Sequence, residues 1–156
     1  MSPSIVGDSR VSSTLRDRGD EMAVEESTER RRTVLIVDDE KLILNALQRL
    51  LRREPYDVIF VENSRQAYEQ LNARSIDMII SDYRMPGVNG VELLASVREK
   101  YPRVLRVLLT GSLGHDDFAR ARQSGDVEAF LQKPWGNAAL LEEMKRLLDV
   151  QAGRTA

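Results

Sequence analysis

Short apolar runs and amphipathic stretches alternate along most of the chain. From Thr33 onward, runs such as TVLIV and MIIS have the continuous, β-branched apolar character of strands that are buried on both faces. Each run is followed by a stretch in which apolar residues recur every three or four positions, as Leu44, Leu47 and Leu51 do. This spacing is typical of an amphipathic helix. The pattern therefore predicts five strands that alternate with five helices.

The limits of these elements follow the turn and helix-stop residues. Ser64 is predicted to cap the second helix, and Gly125 to end the fourth. The predicted strands are 33–40, 56–63, 76–82, 104–111 and 127–134, and the predicted helices are 41–54, 64–74, 90–101, 115–125 and 137–151. Alternation of this kind predicts an α/β fold, in which helices cover both faces of a doubly wound, five-stranded parallel sheet.

The first part of the chain has a different composition from the rest. Residues 1–32 are rich in Ser, Arg, Asp and Glu and contain no aromatic residue. They offer too little apolar surface to offset the entropy lost on folding, so we expect a disordered or weakly structured N-terminal tail. The predicted domain covers residues 33–150, and residues 151–156 are expected to form a frayed C-terminus.

Composition and charge narrow the class of protein. The chain has 156 residues, a net charge of −2 and no cysteine, which excludes disulfides and thiolate metal sites. No apolar run is long enough to span a bilayer, and there is no GxGxxG or GxxxxGK[ST] nucleotide motif. These features predict a cytoplasmic protein that does not insert into membranes and does not bind nucleic acid directly.

Polar residues stand where four of the predicted strands end. The first predicted strand ends in Asp38 and Asp39, the third in Asp82, the fourth in Thr110 and the fifth in Lys133. Each of them alone is also typical of an ordinary turn or surface position. In an open parallel sheet, ligands bind beyond the carboxyl ends of the strands. With a strand order of 2-1-3-4-5, these side chains converge at one edge of the sheet.

The residue types at this edge indicate a particular chemistry. Three carboxylates in one place repel one another and raise each other's pKa, and a hard divalent cation removes that repulsion. Mg²⁺ takes oxygen ligands and favours sites shared with phosphate, and Mn²⁺ is an alternative. A carboxylate beside such an ion can attack phosphorus to give an aspartyl phosphate. The Lys133 ammonium and the Thr110 hydroxyl suit phosphate oxygens.

Four short motifs carry a resemblance to a known family. VLIVDDE, SDYRMPGVNG, LLTGS and FLQKPW occur in this order, each on the expected element. Together they resemble the receiver domain of bacterial two-component response regulators, of the chemotaxis-regulator type, over about residues 33–150. The resemblance implies a flavodoxin-like sheet with the strand order 2-1-3-4-5.

The resemblance also implies roles for the acidic residues. Asp82 matches the phosphoacceptor of the family. Asp39 matches a direct Mg²⁺ ligand, and Asp38 the residue that orients metal-bound water. The backbone carbonyl of Arg84 matches a further ligand. The phosphoryl donor implied by the family is a histidine kinase, a phosphotransfer protein or a small phosphodonor.

The remaining motif residues match the switch of the family. Lys133 matches the phosphate-contacting lysine, Thr110 the switch hydroxyl and Phe130 the switch aromatic residue. Phosphorylation is then expected to remodel the surface formed by the fourth helix, fifth strand and fifth helix. That surface would control a protein partner or form a homodimer, or the domain would relay its phosphoryl group onward. The protein is thus expected to be a phosphoacceptor switch and not an enzyme.

Alternatives remain open at this point. No further module fits after residue 150, so a stand-alone receiver is expected. A pseudo-receiver scaffold that takes no phosphoryl group is one alternative. Trp135, directly after Lys133 and Pro134, suggests another, a receiver that belongs to a sensor kinase or cyclic-dinucleotide phosphodiesterase system. A phosphatase with an aspartyl nucleophile is poorly supported, because VDDEK lacks the DxD spacing of such enzymes.

Overall fold

The computed structural model describes residues 31–111 and 116–155. The predicted N-terminal tail, apart from Arg31 and Arg32, lies outside this part of the chain. The strands are β1 (Arg32–Val37), β2 (Tyr56–Val61), β3 (Met78–Asp82), β4 (Leu105–Thr110) and β5 (Ala129–Gln132). The helices are α1 (Lys41–Leu51), α2 (Ser64–Ala73), α3 (Gly90–Lys100), α4 (Asp116–Ser124) and α5 (Asn137–Thr155).

The five strands form one parallel sheet with the order β2-β1-β3-β4-β5. The predicted order 2-1-3-4-5 and the doubly wound α/β fold are therefore confirmed. β1 lies between β2 and β3, and its Val34 pairs with Val58 of β2 on one side and with Met78 of β3 on the other. The order reverses between β1 and β3, which is where such sheets form their ligand crevice.

The continuous apolar runs are explained by a core on each face of the sheet. Along β1, Leu35 and Val37 point to one face and Val34 and Ile36 to the other, because side chains alternate along a strand. The first face packs against apolar residues of α2, α3 and α4, including Leu71, Leu93, Leu94, Val97 and Phe118. The second face packs against α1 and α5, including Leu44, Leu47, Leu140, Met144 and Leu148. Most positions of these strands are therefore apolar, because neither face of the sheet is exposed to solvent, and Ser81 and Arg106 are buried polar exceptions.

The elements begin and end close to the predicted positions, with local differences. The cap of α2 is Asn63, whose Oδ1 accepts a hydrogen bond from the Gln66 amide at 2.8 Å, so the prediction of Ser64 as the cap is wrong. β1 ends at Val37 and not at residue 40. The strand ends there because a local turn forms, in which the Asp38 carboxylate accepts a hydrogen bond from the Glu40 amide at 2.9 Å. Gly125 follows α4 with a φ of 86°, as a helix-ending glycine does.

The last helix is longer than predicted. It continues to Thr155, into the segment expected to be frayed. Gln151 is the last residue of the predicted helix and donates to the backbone carbonyls of Asp77 and Arg103, while its Oε1 accepts from Arg32 at 2.8 Å. These bonds attach the end of α5 to the amino edge of the sheet, and β1 correspondingly begins one residue earlier, at Arg32. Among the described helices, none has both the length and the apolar character needed to cross a bilayer.

Candidate functional site

Three of the predicted site residues meet at the carboxyl edge of the sheet. Lys133 follows β5, and its Nζ lies 2.9 Å from Oδ1 of Asp82 and 3.1 Å from Oδ2 of Asp38. Asp38 and Asp82 are 1% and 7% exposed. The side chain of Lys133 is only 16% exposed. An ammonium group therefore lies between two buried carboxylates, and the ends of three different strands supply these three groups.

The loop after β3 fixes the position of Asp82. The amide of Gly90, the first residue of α3, donates to the Tyr83 carbonyl at 2.8 Å. A Cβ atom on Gly90 would lie 2.2 Å from the backbone oxygen of Asp82, so only glycine allows the helix to approach this closely. Asn89 and Glu92 form a capping box that begins α3 at this point. The helix start is thereby held against the end of β3.

The carboxylates form a compact acidic group. Oxygens of Asp38, Asp39 and Asp82 all lie within 4.8 Å of one another. Burial raises the pKa of the Asp38 carboxyl, and the charge of Asp82 adds to this, against the opposing effects of the Glu40 amide and Lys133. Burial also raises the pKa of Asp82, although the hydrogen bond from Lys133 acts in the other direction. The charged forms of both buried carboxyl groups are thus less stable at this site than they would be in water.

Lys133 is the basic member of the group. Burial lowers the pKa of its ammonium, but the hydrogen bonds to Asp82 and Asp38 outweigh burial and the pKa is raised. Nζ also lies 3.5 Å from Oε1 of Glu40, which is largely exposed. The lysine therefore stays protonated, and one positive charge faces several carboxylates.

The site opens into a cavity of about 510 Å³. Asp39, Asp82, Arg84, Thr110 and Lys133 are among the residues that line it. Thr110 is buried at the end of β4, and its carbonyl accepts from the Lys133 amide at 2.8 Å. The peptide bond between Lys133 and Pro134 is cis. The structure thus brings Asp39, Asp82, Thr110 and Lys133 to one cavity, and Asp38 lies buried beside it in contact with Lys133.

Phe130 lies apart from this cavity, on β5. Its half-buried ring packs against the ring of Phe118 on α4, with 5.5 Å between the ring centroids. The Phe118 ring in turn meets Tyr83 edge to face at 4.9 Å. The predicted switch residue is therefore connected through ring contacts to the residue that follows Asp82.

Four further residues line the cavity although the sequence did not predict them as site residues, which are Glu40, Tyr83, Gly111 and Phe118. Glu40 belongs to the VDDE motif, so its closeness to the two aspartates was readable. Phe118 gave a weaker signal as the only aromatic residue in a polar helix. Tyr83 gave none, because its inward contact depends on the position of α4.

The donor set suits a divalent cation. Both oxygens of Asp38 already accept hydrogen bonds, from the Glu40 amide and from Lys133. Within residues 31–111 and 116–155, the exposed Asp39 carboxylate takes part in no hydrogen bond or ion pair. Oxygen-only ligands with more negative than positive charge are what Mg²⁺ requires. The acidic group can therefore hold a metal ion, with Asp39 as its most available ligand.

Comparison with known proteins identifies relatives of this chain. It is 31% identical to the hydrogenase transcriptional regulatory protein HoxA of Cupriavidus necator over 124 residues, which are 80% of this chain and 26% of HoxA. It is 32% identical to the transcriptional regulatory protein GlrR of Escherichia coli over 122 residues, which are 78% of this chain and 27% of GlrR. The chain thus spans about a quarter of the length of these curated relatives.

Solved structures are similar over nearly their whole length. The signal receiver domain of an HD domain-containing protein from Pseudomonas fluorescens Pf-5 is 35% identical, with a TM-score of 0.76 over 80% of this chain and 99% of that one. The chemotaxis response regulator CheY4 of Vibrio cholerae is 26% identical, with a TM-score of 0.67 over 75% of this chain and 98% of that one. The chain also matches the response regulator receiver domain family over residues 34–145. With the fold, the acidic site and this match in agreement, the chain belongs to the receiver domains of two-component response regulators.

Proposed function

We propose that the domain is a phosphorylation switch in which Asp82 accepts a phosphoryl group. The observation that carries this proposal is the position of Lys133, whose ammonium contacts Oδ1 of Asp82 at 2.9 Å inside an open cavity. The lysine thus lies next to the place that a phosphoryl group on Asp82, with its negatively charged oxygens, would occupy.

The chemistry needs little beyond positioning and charge neutralisation. An oxygen of Asp82 forms the new bond to phosphorus while the bond from phosphorus to the donor atom breaks, and the donor leaves with that electron pair. Lys133 then pairs with a phosphoryl oxygen in place of the Asp82 carboxylate. Thr110, at the end of the neighbouring strand, provides the hydroxyl for another phosphoryl oxygen.

The proposed cofactor is Mg²⁺, with Mn²⁺ as a substitute. Asp39, Asp82 and the Arg84 backbone carbonyl would hold it, and Asp38 would orient its water. When bound, the ion supplies positive charge next to the acceptor. The support for this assignment is the excess of carboxylates over ammonium groups at the site.

The proposed output is a change in the surface formed by α4, β5 and α5. Phosphorylation changes a local charge, which then biases a packing arrangement with two stable states. The ring contacts from Tyr83 through Phe118 to Phe130 support a connection between Asp82 and this surface. This surface would control a downstream protein partner or form a homodimer, or the domain would pass its phosphoryl group on.

The pathway around the domain is also a proposal. A histidine kinase or phosphotransfer protein is the proposed donor, and the absence of cysteine suits the cytoplasm as the proposed compartment. The relatives include transcriptional regulators and an HD domain-containing protein, so similar domains work with different outputs. A receiver in a sensor kinase or cyclic-dinucleotide phosphodiesterase system is therefore kept as an alternative output, and a pseudo-receiver scaffold as an alternative function.

Intact mass spectrometry after incubation with Mg²⁺ and acetyl phosphate tests the proposal. We expect the wild type to gain one phosphoryl group and Asp82→Asn to gain none, while Asp57→Asn, which alters an exposed acid on β2, behaves as the wild type. Uptake by Asp82→Asn would disprove the acceptor assignment. If the wild type takes up nothing, beryllofluoride binding decides, since a receiver that needs its kinase binds it and a pseudo-receiver does not.

A further inference from the structure

A cationic side chain lies over the ring of Phe130. The guanidinium carbon of Arg122, in the last turn of α4, is 4.6 Å from the centroid of this ring. Among the described residues, the Arg122 guanidinium forms no hydrogen bond or ion pair, so the Phe130 ring is the partner that the structure gives to this side chain. Phe130 has no hydroxyl and cannot be held in place by a hydrogen bond of its own. The geometry is that of a cation–π interaction.

The contact is the outer end of the row of rings that begins beside the acceptor. Tyr83 directly follows Asp82 and meets Phe118, and Phe118 packs on Phe130. Phe118 is buried and Phe130 is half-buried. Arg122 and Phe118 both belong to α4, so this helix contacts the Phe130 ring with an apolar and a cationic side chain. The ring orientation thus depends on α4, which is part of the proposed output surface.

The charge pairing at the acceptor shows which functional state the contact accompanies. Lys133 binds the Asp82 carboxylate itself in this arrangement. A phosphoryl group on Asp82 would break that pairing. The contact between Arg122 and Phe130 therefore coexists with the free carboxylate form of the site.

We propose that Arg122 is a positioning residue that stabilises the orientation of Phe130 in the unphosphorylated domain and so opposes activation. This inference rests on the proposed function, in which Phe130 is the switch aromatic residue. A contact present in only one of two states shifts the equilibrium between them. By linkage, loss of the contact must then strengthen binding of any ligand that favours the other state.

The expected size follows from the strength of such contacts at partly exposed sites. Replacing Arg122 by Gln should strengthen beryllofluoride binding about two- to five-fold. Arg122→Lys keeps the charge but loses the planar guanidinium, so its effect should be smaller. Arg120→Gln is the matched control, because it removes the same charge from the same helix at a side chain that lines the groove between α3 and α4.

The first measurement concerns the ring itself and requires no ligand. The sequence contains three phenylalanines, so the ring resonances of the full chain labelled with [¹³C]phenylalanine can be assigned by single Phe→Leu substitutions. We expect Arg122→Gln to shift the Phe130 resonances and Arg120→Gln to leave them in place. Phe130 resonances that stay unchanged in Arg122→Gln would overturn the inference, whatever the outcome of the phosphorylation tests.

The second measurement is beryllofluoride affinity by titration calorimetry, in the presence of Mg²⁺. It compares the wild type, Arg122→Gln, Arg120→Gln, Phe130→Leu and the Arg122→Gln/Phe130→Leu double variant. The gain from Arg122→Gln should vanish in the Phe130→Leu background, because the ring contact is already lost. An equal gain from Arg120→Gln, a gain that persists without the Phe130 ring, or no gain at all would each overturn the inference. If the wild type does not bind beryllofluoride, the proposed function is refuted, and Arg122 then cannot oppose activation.

Discussion

Nζ of Lys133 lies 2.9 Å from Oδ1 of Asp82, although the two residues are 51 positions apart in the sequence. The same ammonium bonds Asp38, 95 positions away. The parallel sheet makes these contacts possible, because β1, β3 and β5 all end at the same edge. The single charge of Lys133 balances only part of the negative charge at the site. The effect of this ion pairing on the stability of the domain can be measured.

The charge of Asp82 should reduce the stability of the folded protein at neutral pH. The pKa of Asp82 is raised in the folded state, chiefly by burial. The folded protein therefore holds this proton to a higher pH than the unfolded chain, and stability falls as the pH rises through the interval between the two pKa values. Asp82→Asn should unfold at a higher temperature than the wild type at pH 7, with the difference shrinking toward about pH 4. Calorimetry across this pH range checks it, and a lower unfolding temperature for Asp82→Asn at pH 7 would contradict it.

Removal of the lysine should have the opposite effect. Lys133→Ala leaves the buried carboxylates of Asp38 and Asp82 without their cation, so the variant should be less stable than the wild type at pH 7 and recover as these acids become protonated. When Lys133→Ala is phosphorylated, the substitution should also prevent the change in partner binding that phosphorylation causes in the wild type. Denaturant unfolding at pH 5 and pH 7 tests the first expectation, and unchanged partner binding by the phosphorylated variant would contradict the second.

A methyl group on Gly90 should disturb the packing of the start of α3 against the end of β3. Its Cβ would lie 2.2 Å from the Asp82 backbone oxygen and 2.8 Å from a methyl carbon of Leu108. Neither the strand nor the core can move without cost, so Gly90→Ala should lower the free energy of unfolding by about 1–3 kcal/mol. Gly153→Ala, in α5, is the matched control, because its Cβ would meet no atom within 4 Å. Equal stability of the two variants in urea would argue against the close approach.

The buried guanidinium of Arg106 should be a major stabilising group. Arg106 lies in β4 and is 5% exposed, with an ion pair to Glu128 at 3.8 Å. It donates to the backbone carbonyls of Pro102, Val104, Gly125 and Asp126. Arg106→Met would leave several of these acceptors without a donor, which should lower the free energy of unfolding by about 3 kcal/mol or more. The exposed Arg103→Met should change it little, and a similar value for both would show that water replaces the lost donors.

The hydrogen bonds of Gln151 should make the end of α5 part of the folded domain. A chain that begins at Thr33 lacks Arg32, and a chain that ends at Val150 lacks Gln151. Each truncation should lower the free energy of unfolding by about 1–2 kcal/mol relative to residues 31–155, because donors and acceptors at the sheet edge lose their partners. Because both remove the same Arg32–Gln151 bond, the effects of Arg32→Ala and Gln151→Ala should not be additive. Strict additivity would mean that this bond contributes nothing.

Local sequence patterns were sufficient for the order and type of the elements. Apolar runs and three- to four-residue spacing are one-dimensional signals, and β1 and α1 begin within one residue of the predicted starts for this reason. The ends were less predictable where a side chain competes with the backbone. Asn63 rather than Ser64 caps α2, and the turn that Asp38 makes with the Glu40 amide ends β1.

The amino-acid sequence alone places five polar residues at strand ends, and the strand order 2-1-3-4-5 brings them together; they are Asp38, Asp39, Asp82, Thr110 and Lys133. Which of their atoms make contact follows from the three-dimensional packing. The ammonium bridge between Asp38 and Asp82, the ring contacts of Tyr83 and Phe118, and the cation over Phe130 all join distant segments. The attachment of the end of α5 likewise depends on distant residues, because Gln151 donates to the backbone carbonyls of Asp77 and Arg103. Such contacts depend on the packing of helices against the sheet, which no local pattern encodes.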